Sequence, residues 1–473
     1  MTPQEPHVVQ VDIDDRKVLF ESAAGKPTAS VEEYNGFSLV HFDIPEGRLG
    51  DYCIRVEQPC LDIHRSWAGQ MDCWRGSELT SIALRFNFET AANASLPVIC
   101  NYNRFGTNRG LVGMLDHVPV TRVAQVPHID PPPMRVLEVN FTRYRNNGGF
   151  RETVVIYREK AHFADAIQRF LRLCRERQQI MTLPTPEWAR EPVWCSWYSH
   201  TYHLHQHDVE EQIPHLKQLG IRTVLIDASW FHLPHLGLNR GSGDYEVEES
   251  FFPDLPALTR RLHEEGLKVM LWYAPFYMGK ETKKRAQMEP YCVLKDGERE
   301  SRLCPFCDEA VTHARDTAER LMRDYHLDGL KLDFMDQIGH CEDPEHDHGE
   351  GNEGDASAGF MAAVRDAILS VNPDAAIEYR IRYSTLTTQQ FANCHRGNDA
   401  PYDGDYMRRE NLFLRLYCDY PSAVWNDYAY WHPQEDAQNV ALMLGQQIFS
   451  GGVPTLSVDL TACNEDHKQV IDR

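Results

Sequence analysis

The chain has 473 residues, of which 42% are hydrophobic and 25% are charged, so it is long enough for two or three domains with a large core. Its 48 lysines and arginines against 70 aspartates and glutamates give a formal net charge of −22, which argues against nucleic acid or an anionic membrane as a partner. A neutral small molecule would not be repelled by such a surface.

The cysteines and the N-terminus indicate the compartment. The 13 cysteines follow no regular disulfide spacing, the first residues lack a basic stretch followed by an apolar core, and no apolar run is long enough to cross a membrane. We therefore expect a soluble, cytoplasmic protein. Cys304 and Cys307 have C-x-x-C spacing without a second such pair, so we expect buried free thiols there and no bound metal.

Residues 1–160 have the pattern of an all-β domain. Short segments alternate polar and apolar residues or are rich in valine, isoleucine, phenylalanine and tyrosine, and turn-forming residues separate them. The predicted strands are His7–Ile13, Phe37–Ile44, Tyr52–Glu57, Leu79–Thr90, Val118–Val126, Met134–Tyr144 and Glu152–Tyr157. Because no long helical pattern interrupts them, we predict a β-sandwich that carries no catalytic residues.

The predicted domain boundary follows the first clear helix. The segment Ala161–Gln179 places its phenylalanine, isoleucine and leucine side chains on one face, as an amphipathic helix does, and a proline-containing linker follows it. We therefore assign residues 1–160 to the β-sandwich and residues 161–190 to the helix and linker. Residues 191–473 form a second domain, which we expect to end within its last helix.

Beyond residue 191, short apolar strands alternate with helical segments, which is typical of parallel βα units. The predicted strands are Val193–Tyr198, Thr223–Ala228, Lys268–Ala274, Gly329–Phe334, Ala376–Arg380, Cys394–Asn398, Ala423–Trp425 and Val453–Val458. The predicted helices are Asp208–Leu219, Leu255–Glu265, Glu309–Asp324, Ala356–Ser370, Thr385–Phe391, Asp405–Leu416 and Glu435–Phe449. Eight strands in this rhythm predict an α/β fold, a (β/α)8 TIM barrel, with its functional site at the carboxyl ends of the strands.

Two carboxylates at those strand ends have a basic neighbour. On strand four, Lys331 and Asp333 share one face, because side chains alternate along a strand. Asp399 and Arg396 lie at the end of strand six. Paired carboxylates across a barrel mouth are the equipment of glycoside hydrolysis. Since the lysine should keep Asp333 ionised, we predict Asp333 as the nucleophile and Asp399 as the acid/base.

Tryptophans occur at the same strand ends. Trp197 follows strand one, Trp230 follows Asp227 at the end of strand two, and Trp272 lies on strand three. Aromatic rings can cover the apolar faces of a sugar, while carboxylates accept hydrogen bonds from its hydroxyls. We therefore predict a polyhydroxylated substrate with these residues among its contacts, and the barrel core is the alternative location for Trp272.

Six segments of the barrel resemble, in order, the motifs of one enzyme family. They are Trp194–Trp197 (like G-W-N-S-W), Val224–Phe231 (like D-D-G-W-F), Gly243–Tyr245 with Phe251–Pro253 (like G-D-W and F-P), Gly266–Trp272 (like G-M-K-F-G-L-W), Lys331–Asp333 (K-x-D) and Arg396–Asp399 (the acid/base segment). From about Glu191 onward the chain thus resembles glycoside hydrolase family 36, the melibiase-type α-galactosidases of the retaining α-galactosidase clan.

The resemblance implies a retaining, double-displacement cleavage of terminal α-linked galactose-like residues from oligosaccharides or glycoconjugates. Asp333 would attack the anomeric carbon, and Asp399 would protonate the leaving oxygen and then activate water. The implied substrate contacts are Trp197, Asp227, Lys331 and Arg396, with Asp244 and Glu378 as further positions carried over from the family. No cofactor is expected.

Three features depart from the family pattern. The paired aspartates that grip galactose hydroxyls are Asp227 and Ala228 here, and Ile377–Tyr383 replaces a glycine-rich run near the C2 substituent. An α-N-acetylgalactosaminidase or another α-glycosidase of the clan is therefore an alternative. Family members also continue into a C-terminal β-sandwich, which we expect this chain to lack.

Two other function classes stay open. Histidines are concentrated in residues 200–207 and 340–348, and such side chains could serve a metal-dependent TIM-barrel hydrolase. A sugar-binding protein on a retired hydrolase scaffold is the non-enzymatic alternative. We expect a small carbohydrate as the partner, without nucleic acid or membrane, and the sequence leaves a homo-oligomer open.

Overall fold

The computed structural model of the chain describes residues 7–22, 27–44, 50–70, 84–128, 136–145, 149–336, 339–348, 352–418 and 421–472. The chain divides into two compact units. The first comprises residues 1–181, 348–358 and 385–388, and the second comprises residues 182–347, 359–384 and 389–473. The change from one unit to the other at residue 182 falls at the start of the proline-containing linker.

The first unit consists of two antiparallel sheets of six strands each. Its strands are β1 (His7–Ile13), β2 (Arg16–Ser22), β3 (Thr28–Tyr34), β4 (Phe37–Ile44), β5 (Gly50–Pro59), β6 (Arg65–Ala68), β7 (Phe86–Thr90), β8 (Val98–Tyr102), β9 (Asn108–Met114), β10 (Thr121–His128), β11 (Val136–Arg145) and β12 (Phe150–Tyr157). One sheet has the order β1-β2-β5-β11-β10-β7 and the other β3-β4-β12-β9-β8-β6. The prediction of an all-β sandwich is confirmed.

The two sheets enclose one apolar core. Buried side chains of the first sheet, including Phe20, Ile54 and Phe141, belong to the same cluster as Phe42 and Ile156 of the second sheet. These residues occupy every second position of their strands, which is how an antiparallel sheet turns one face to the core. Their burial stabilises the sandwich by roughly 25 cal/mol for each Å² of apolar surface removed from water.

Five strands of this unit were outside the sequence prediction, namely β2, β3, β6, β8 and β9. Strand β3 is exposed at most of its positions, whereas β8 is buried at all five. Neither strand shows the alternation on which such predictions depend. The strand predicted from Leu79 lies partly outside the described residues, and β7 begins at Phe86.

Helix α1 (Phe163–Arg177) ends the continuous part of this unit. Its buried residues include Ile167 and Phe170, so the predicted amphipathic face is the face that is covered. The ring of His162 accepts a hydrogen bond from the backbone of Ala164 and caps the helix.

The second unit contains an eight-stranded parallel sheet. The strands that follow along the chain are β13 (Val193–Cys195), β14 (Thr223–Ile226), β15 (Lys268–Tyr273), β16 (Cys292–Lys295), β17 (Glu298–Leu303), β18 (Gly329–Leu332), β19 (Ala376–Arg380), β20 (Cys394–Arg396), β21 (Ala423–Trp425) and β22 (Thr455–Leu456). The sheet order is β21-β20-β19-β18-β15-β14-β13-β22, and β16 and β17 form a separate hairpin. The backbone N of Val453 donates to the carbonyl of Val424 at 2.8 Å, so the two sheet edges meet and the barrel closes.

Helices follow most barrel strands, as the sequence predicts. They are α2 (Trp197–His200), α3 (Gln206–Gln218), α4 (Leu238–Gly241), α5 (Leu255–Glu264), α6 (Arg285–Met288), α7 (Asp308–Asp324), α8 (Glu353–Val371), α9 (Gly404–Leu414), α10 (Ala437–Ser450) and α11 (Glu465–Asp472). A 3-10 turn at Thr387–Gln390 takes the place of the predicted helix after strand five. Among the described residues, no helix combines the length and the apolar character needed to cross a membrane.

Strand β18 shows how the sequence shapes the barrel mouth. At its start, a Cβ on Gly329 would lie 2.2 Å from the carbonyl oxygen of Ala376 on β19, so only glycine allows the two strands to pair this closely. The strand ends at Leu332, two residues earlier than predicted, and Phe334 has a φ of 53°. The backbone therefore leaves the sheet at Asp333 through a conformation that is unfavourable for a bulky residue.

Candidate active site

The carboxyl ends of the barrel strands surround a cavity. Polar and aromatic side chains from seven strand ends line it together with Ala228, among them Trp197, Tyr202, Asp227, Phe231, Trp272, Lys331, Asp333, Arg380, Asp399 and Tyr428. This is the end of a (β/α)8 barrel at which functional sites lie. The sequence-predicted location of the site and the position of the cavity therefore agree.

Asp333 lies at the exit of β18 and accepts four hydrogen bonds. Its Oδ1 accepts from Nε of Arg380 at 3.0 Å and from the hydroxyl of Tyr383 at 2.8 Å. The backbone N of Phe334 also donates to Oδ1, at 2.8 Å, and Nε1 of Trp272 donates to Oδ2 at 3.0 Å. The residue is only 7% exposed, so these donors fix the orientation of a carboxylate at the cavity wall.

The pKa of Asp333 is the result of opposing effects. Burial acts to raise it, but the guanidinium of Arg380 and then the ammonium of Lys331 lower it. Hydrogen bonds from Trp272 and Tyr383 add to the lowering, and together they hold the pKa of Asp333 well below its usual range. Asp333 is therefore ionised at neutral pH. Lys331 lowers the pKa of Asp333, as predicted, but Arg380 lowers it more.

Lys331 forms its ion pair with a different aspartate. Its Nζ donates to Oδ2 of Asp227 at 2.7 Å, and the two side chains are 5% and 3% exposed. The backbone N of Ala228 donates to the other carboxylate oxygen at 2.8 Å. An ammonium group has three donors, and Asp227 accepts from one of them. Both residues line the cavity, so the pair presents a fixed cation and a fixed carboxylate to a ligand there.

Asp399 is the exposed carboxylate of the site. It follows β20, lines the cavity, and has a side chain that is 55% exposed, with Nη1 of Arg396 at 3.1 Å. Desolvation acts to raise the pKa of Asp399, Arg396 and Arg380 lower it, and the charge of Asp333 raises it; the net direction is downward. A ligand that displaces water from Asp399 would raise this pKa, and loss of the charge on Asp333 would lower it. An acid/base group needs both responses.

Arg396 lies beneath Asp399 and joins three carboxylates. Its Nε donates to Glu378 at 2.9 Å, and its Nη1 donates to Asp399 and to Asp427. Asp427 also accepts from the hydroxyl of Tyr198 at 3.0 Å. Burial raises the pKa of Asp427 to about 6 and also raises the pKa of Glu378. The charges of Asp399 and Asp333 add to these two increases respectively, and Arg396 opposes both.

The site as a whole has more carboxylates than cations. The ion pairs of the site link Asp227, Asp333, Glu378, Asp399 and Asp427 to Lys331, Arg380 and Arg396. Five acidic groups against three basic ones favour a ligand or a transition state with positive charge. An oxocarbenium-like transition state has this charge.

Aromatic rings form much of the remaining wall. Trp197 and Tyr202 meet edge to face with ring centroids 5.2 Å apart, and Phe231 and Trp272 are stacked at 5.6 Å. The ring of Tyr428 lies 5.0 Å from Nζ of Lys331. Such rings pack against the C–H faces of a sugar while carboxylates bind its hydroxyls, so the wall suits a polyhydroxylated ligand.

The structure brings six of the ten predicted site residues to the cavity, namely Trp197, Asp227, Trp272, Lys331, Asp333 and Asp399. Glu378 and Arg396 lie beneath it. Trp230 is fully buried in the barrel and donates Nε1 to the carbonyl of Trp272 at 3.0 Å. Asp244 accepts from the backbone N of Lys283 at 2.7 Å and of Lys284 at 3.0 Å, so it holds a loop together. Neither Trp230 nor Asp244 lines the cavity.

Sequence reasoning missed four residues that hold the site together. Arg380 alternates with Glu378 on strand five, so the period of the strand could have identified it. Tyr383, Asp427 and Tyr428 lie beyond strand ends, where the side-chain period no longer predicts direction. Only the closed barrel shows that Tyr383 contacts Asp333, that Asp427 contacts Arg396 and that the ring of Tyr428 lies over Lys331.

The lining of the cavity does not suit a bound metal. Among its described residues there is neither histidine nor cysteine, and Asp227 and Asp333 are each paired with a cation. In the predicted histidine-rich segment after strand one, His205 forms a capping box with Asp208 at the start of α3. The alternative of a metal-dependent hydrolase therefore gains no support at this cavity.

Residues 182–450 match the family model of the glycosyl hydrolases family 31 TIM-barrel domain. The chain belongs to this family. The match covers more than half of the chain and includes both Asp333 and Asp399. The sequence motifs resemble family 36 instead. The prediction of a glycoside hydrolase of this wider clan is confirmed, but the family model that matches is that of family 31.

Two relatives of this family 31 chain act on galactose-type sugars according to their names. The A type blood α-D-galactosamine galactosaminidase of Flavonifractor plautii is 25% identical over 198 residues, which are 37% of this chain and 17% of that protein. α-Galactosidase 1 of Pediococcus pentosaceus is 25% identical over 191 residues, which are 39% of this chain and 25% of that protein. The matched part thus spans a quarter or less of either relative.

Solved structures confirm the fold. An α-galactosidase of Thermus thermophilus, determined with stachyose, has a TM-score of 0.67 at 17% identity, with 98% of each chain covered. The family 36 α-galactosidase AgaA of Geobacillus stearothermophilus has a TM-score of 0.67 at 13% identity, with 100% of this chain and 70% of that one covered. A β-sandwich followed by a TIM barrel is thus an architecture that known proteins share.

Proposed function

We propose that this protein is a retaining glycoside hydrolase that removes a terminal α-linked, galactose-like residue from oligosaccharides or glycoconjugates. The observation that carries the proposal is that Asp333 and Asp399 line one cavity in contrasting environments. Asp333 is buried, oriented and ionised, which suits attack on a carbon atom. Asp399 is exposed, which suits proton exchange with a leaving group and with water.

In the first step, an oxygen of Asp333 attacks the anomeric carbon while Asp399 gives its proton to the glycosidic oxygen. The bond between that oxygen and the anomeric carbon breaks, the leaving group departs as an alcohol, and a glycosyl ester forms on Asp333. Substrate that excludes water from Asp399 raises its pKa and so supports the protonated form. The excess of carboxylates in the site stabilises the positive charge of the transition state.

In the second step, the ester on Asp333 carries no charge, so the pKa of Asp399 falls. Asp399 then acts as the base that removes a proton from water, the oxygen of that water attacks the anomeric carbon, and the bond from that carbon to the oxygen of Asp333 breaks. The sugar leaves with its original anomeric configuration, and Asp333 is ionised again. The electrostatic link between the two carboxylates thus changes the role of Asp399 between the steps.

The first sugar ring would lie between the aromatic walls and the pair Asp227–Lys331. Its apolar face would pack on the rings of Trp197 or Trp272, and its hydroxyls would bind the carboxylate of Asp227 and the ammonium of Lys331. This arrangement is similar to the sugar grip implied by family 36 motifs. We therefore propose the substrate class of the family 36 α-galactosidases for this family 31 chain.

An α-N-acetylgalactosaminidase is the second candidate. Ala228 lines the cavity at the position where the family 36 pattern has a second aspartate, so one hydroxyl-binding carboxylate is replaced by a methyl group. One relative is named as a galactosaminidase. The acetamido group of such a substrate is on C2, where Ile377–Tyr383 replaces the glycine-rich run of the family 36 pattern, and Arg380 of this segment lines the cavity.

A panel of nitrophenyl glycosides tests the proposal. Wild type, Asp333→Asn and the exposed control Asp366→Asn should be assayed with the α-galactoside, the α-N-acetylgalactosaminide, the α-arabinopyranoside, the α-glucoside and matched β-glycosides. We expect wild type and Asp366→Asn to cleave an α-galactose-type glycoside, also after exhaustive chelation, and NMR to show the α-anomer as the first product. Cleavage of β-glycosides alone, or an active Asp333→Asn protein, would contradict the proposal.

A further inference from the structure

Outside the cavity, the second unit gathers side chains that commonly bind metals. The thiol sulfurs of Cys304 and Cys341 and a ring nitrogen of His346 lie within 4.8 Å of one another. Cys304 is fully buried, and Cys341 and His346 are 2% and 9% exposed. Cys304 also shares a side-chain hydrogen bond with Cys307, its partner in the C-x-x-C pair. The fold thus joins two segments that are far apart in the sequence.

His346 has the orientation of a metal ligand. Its Nε2 lies 2.7 Å from the carbonyl oxygen of Pro290, which can only accept, so Nε2 carries the proton and Nδ1 presents a lone pair. That Nδ1 lies 3.4 Å from Sγ of Cys341. With Zn–S and Zn–N bonds of about 2.3 and 2.0–2.1 Å, tetrahedral zinc places such atoms about 3.6 Å apart. The observed spacing therefore matches two ligands of one zinc ion.

A second layer of contacts supports this orientation. Nε2 of His346 also lies 3.3 Å from the buried carboxylate of Asp343, which is paired with Arg299. A carboxylate behind a histidine is a common outer partner in metal sites, where it fixes the ring and increases its basicity.

The backbone on both sides of the cluster is hydrogen-bonded to the hairpin region. The N of Cys304 donates to the carbonyl of Tyr291 at 2.9 Å, and the N of Glu342 donates to the carbonyl of Leu294 at 2.8 Å. The positions of the thiols are thus set by regular backbone contacts rather than by the thiols themselves.

We propose that Cys304, Cys341 and His346 bind a structural zinc ion, with the fourth ligand supplied by Cys307, the partner of Cys304 in the C-x-x-C pair. Thiolate and imidazole ligands in a closed tetrahedral set are typical of structural zinc. Cys304 and Cys307 are buried and form no disulfide, as predicted. The proposal replaces only the expectation that these thiols bind no metal.

The ion would fix the loop that follows the candidate nucleophile. Asp333 directly follows strand β18, and residues 339–347 come after it in the chain. Zinc would join this segment to the end of β17 and to the start of α7, because Cys304 follows Leu303 directly and Cys307 is the N-cap of α7. The proposal does not depend on the proposed reaction, since the ligands lie outside the cavity lining.

Metal analysis of the full chain tests the proposal. The protein should be expressed with added zinc, purified under reducing conditions without chelator, and analysed by mass spectrometry for bound metal. We expect about one zinc per chain, with a loss of at least about tenfold in Cys341→Ser and in His346→Gln. Cys100→Ser, a change at a buried cysteine of the sandwich, should keep the zinc. Wild-type protein without zinc would overturn the proposal and would leave hydrogen-bonded thiols or a disulfide as the explanation.

Cobalt spectroscopy keeps the test decisive if a variant does not fold. Cobalt(II) added to wild type after mild removal of zinc should give thiolate-to-metal charge-transfer bands and the intense visible bands of tetrahedral coordination. Octahedral spectra without charge transfer would overturn the proposal. Cys307→Ser should weaken both the charge-transfer band and the metal affinity, because it removes the fourth ligand. If this variant changes neither, the closed structural site is wrong.

Discussion

The barrel mouth and the β-sandwich both bury charge, but they do so differently. In the sandwich, Arg143 and Glu152 form an ion pair at 2.6 Å with side chains that are 0% and 1% exposed. Tyr52 donates to the glutamate at 2.7 Å, and Nε of Arg143 donates to Thr121 at 2.8 Å, so neighbouring side chains hold this pair in place. Neither partner of this pair is among the residues that line the candidate active site.

The charges at the barrel mouth are also paired, but their side chains line the cavity. Asp333 has Arg380 at 3.0 Å and Lys331 has Asp227 at 2.7 Å, and all four line the cavity. Buried charge by itself therefore does not distinguish a site from a structural pair, because both need partners to exist in the interior. The access of a ligand to the pair makes the difference, and three variants test it.

The largest expected effect is the loss of catalysis in Asp333→Asn. An amide cannot form the glycosyl ester, so we expect kcat to fall by at least about 10³-fold on the glycoside that wild type cleaves best. The thermal midpoint should also fall, because the stabilisation that goes with the lowered pKa of Asp333 is lost, but the variant should stay folded since the charge of Asp399 still acts on Arg380. Steady-state kinetics with calorimetry measures both quantities, and an unfolded or fully active variant would contradict the assignment.

In the sandwich, Glu152→Gln should mainly lower stability, whereas Asp333→Asn should mainly lower activity. Removing one partner of a buried ion pair leaves an uncompensated charge, so we expect the free energy of unfolding to fall by about 3–5 kcal/mol. Activity per folded molecule should stay within about twofold. Asp43→Asn is the matched control, because its partner Arg151 is exposed, and pairs of that kind contribute about 1 kcal/mol or less. Denaturant titration and kinetics at low temperature compare the two changes.

The smallest of the three effects is a shift in pH dependence caused by Arg380→Gln. Arg380 lowers the pKa of Asp333, so its removal raises that pKa, and the acid limb of the kcat/KM profile should move to higher pH by about 1–3 units. The stabilisation that a lowered pKa brings is present above the unfolded-state pKa and is lost as pH falls through the folded-state pKa. The variant should therefore also have less of this stabilisation at neutral pH. An unshifted acid limb would show that another group keeps Asp333 ionised.

The location of the cavity and six of its predicted residues follow from local patterns. Eight apolar strands alternating with helices predict the barrel, and its strand ends predict where side chains such as Asp333 and Lys331 meet. Both inferences rest on the period of the backbone, which depends on residues close in sequence. Strand β8 is buried at every position, so its sequence has no alternating pattern and did not predict a strand.

Pairing between distant segments could not be predicted in this way. Lys331 lies two residues from Asp333 but pairs with Asp227, because strand register and the early end of β18 place the ammonium nearer to β14. Cys304 and Cys341 likewise meet only after the hairpin and the loop following β18 have folded together. Residue type and strand period predict which side chains face the barrel mouth; the closed barrel determines which of them touch, since contact depends on register and strand length across the whole sheet.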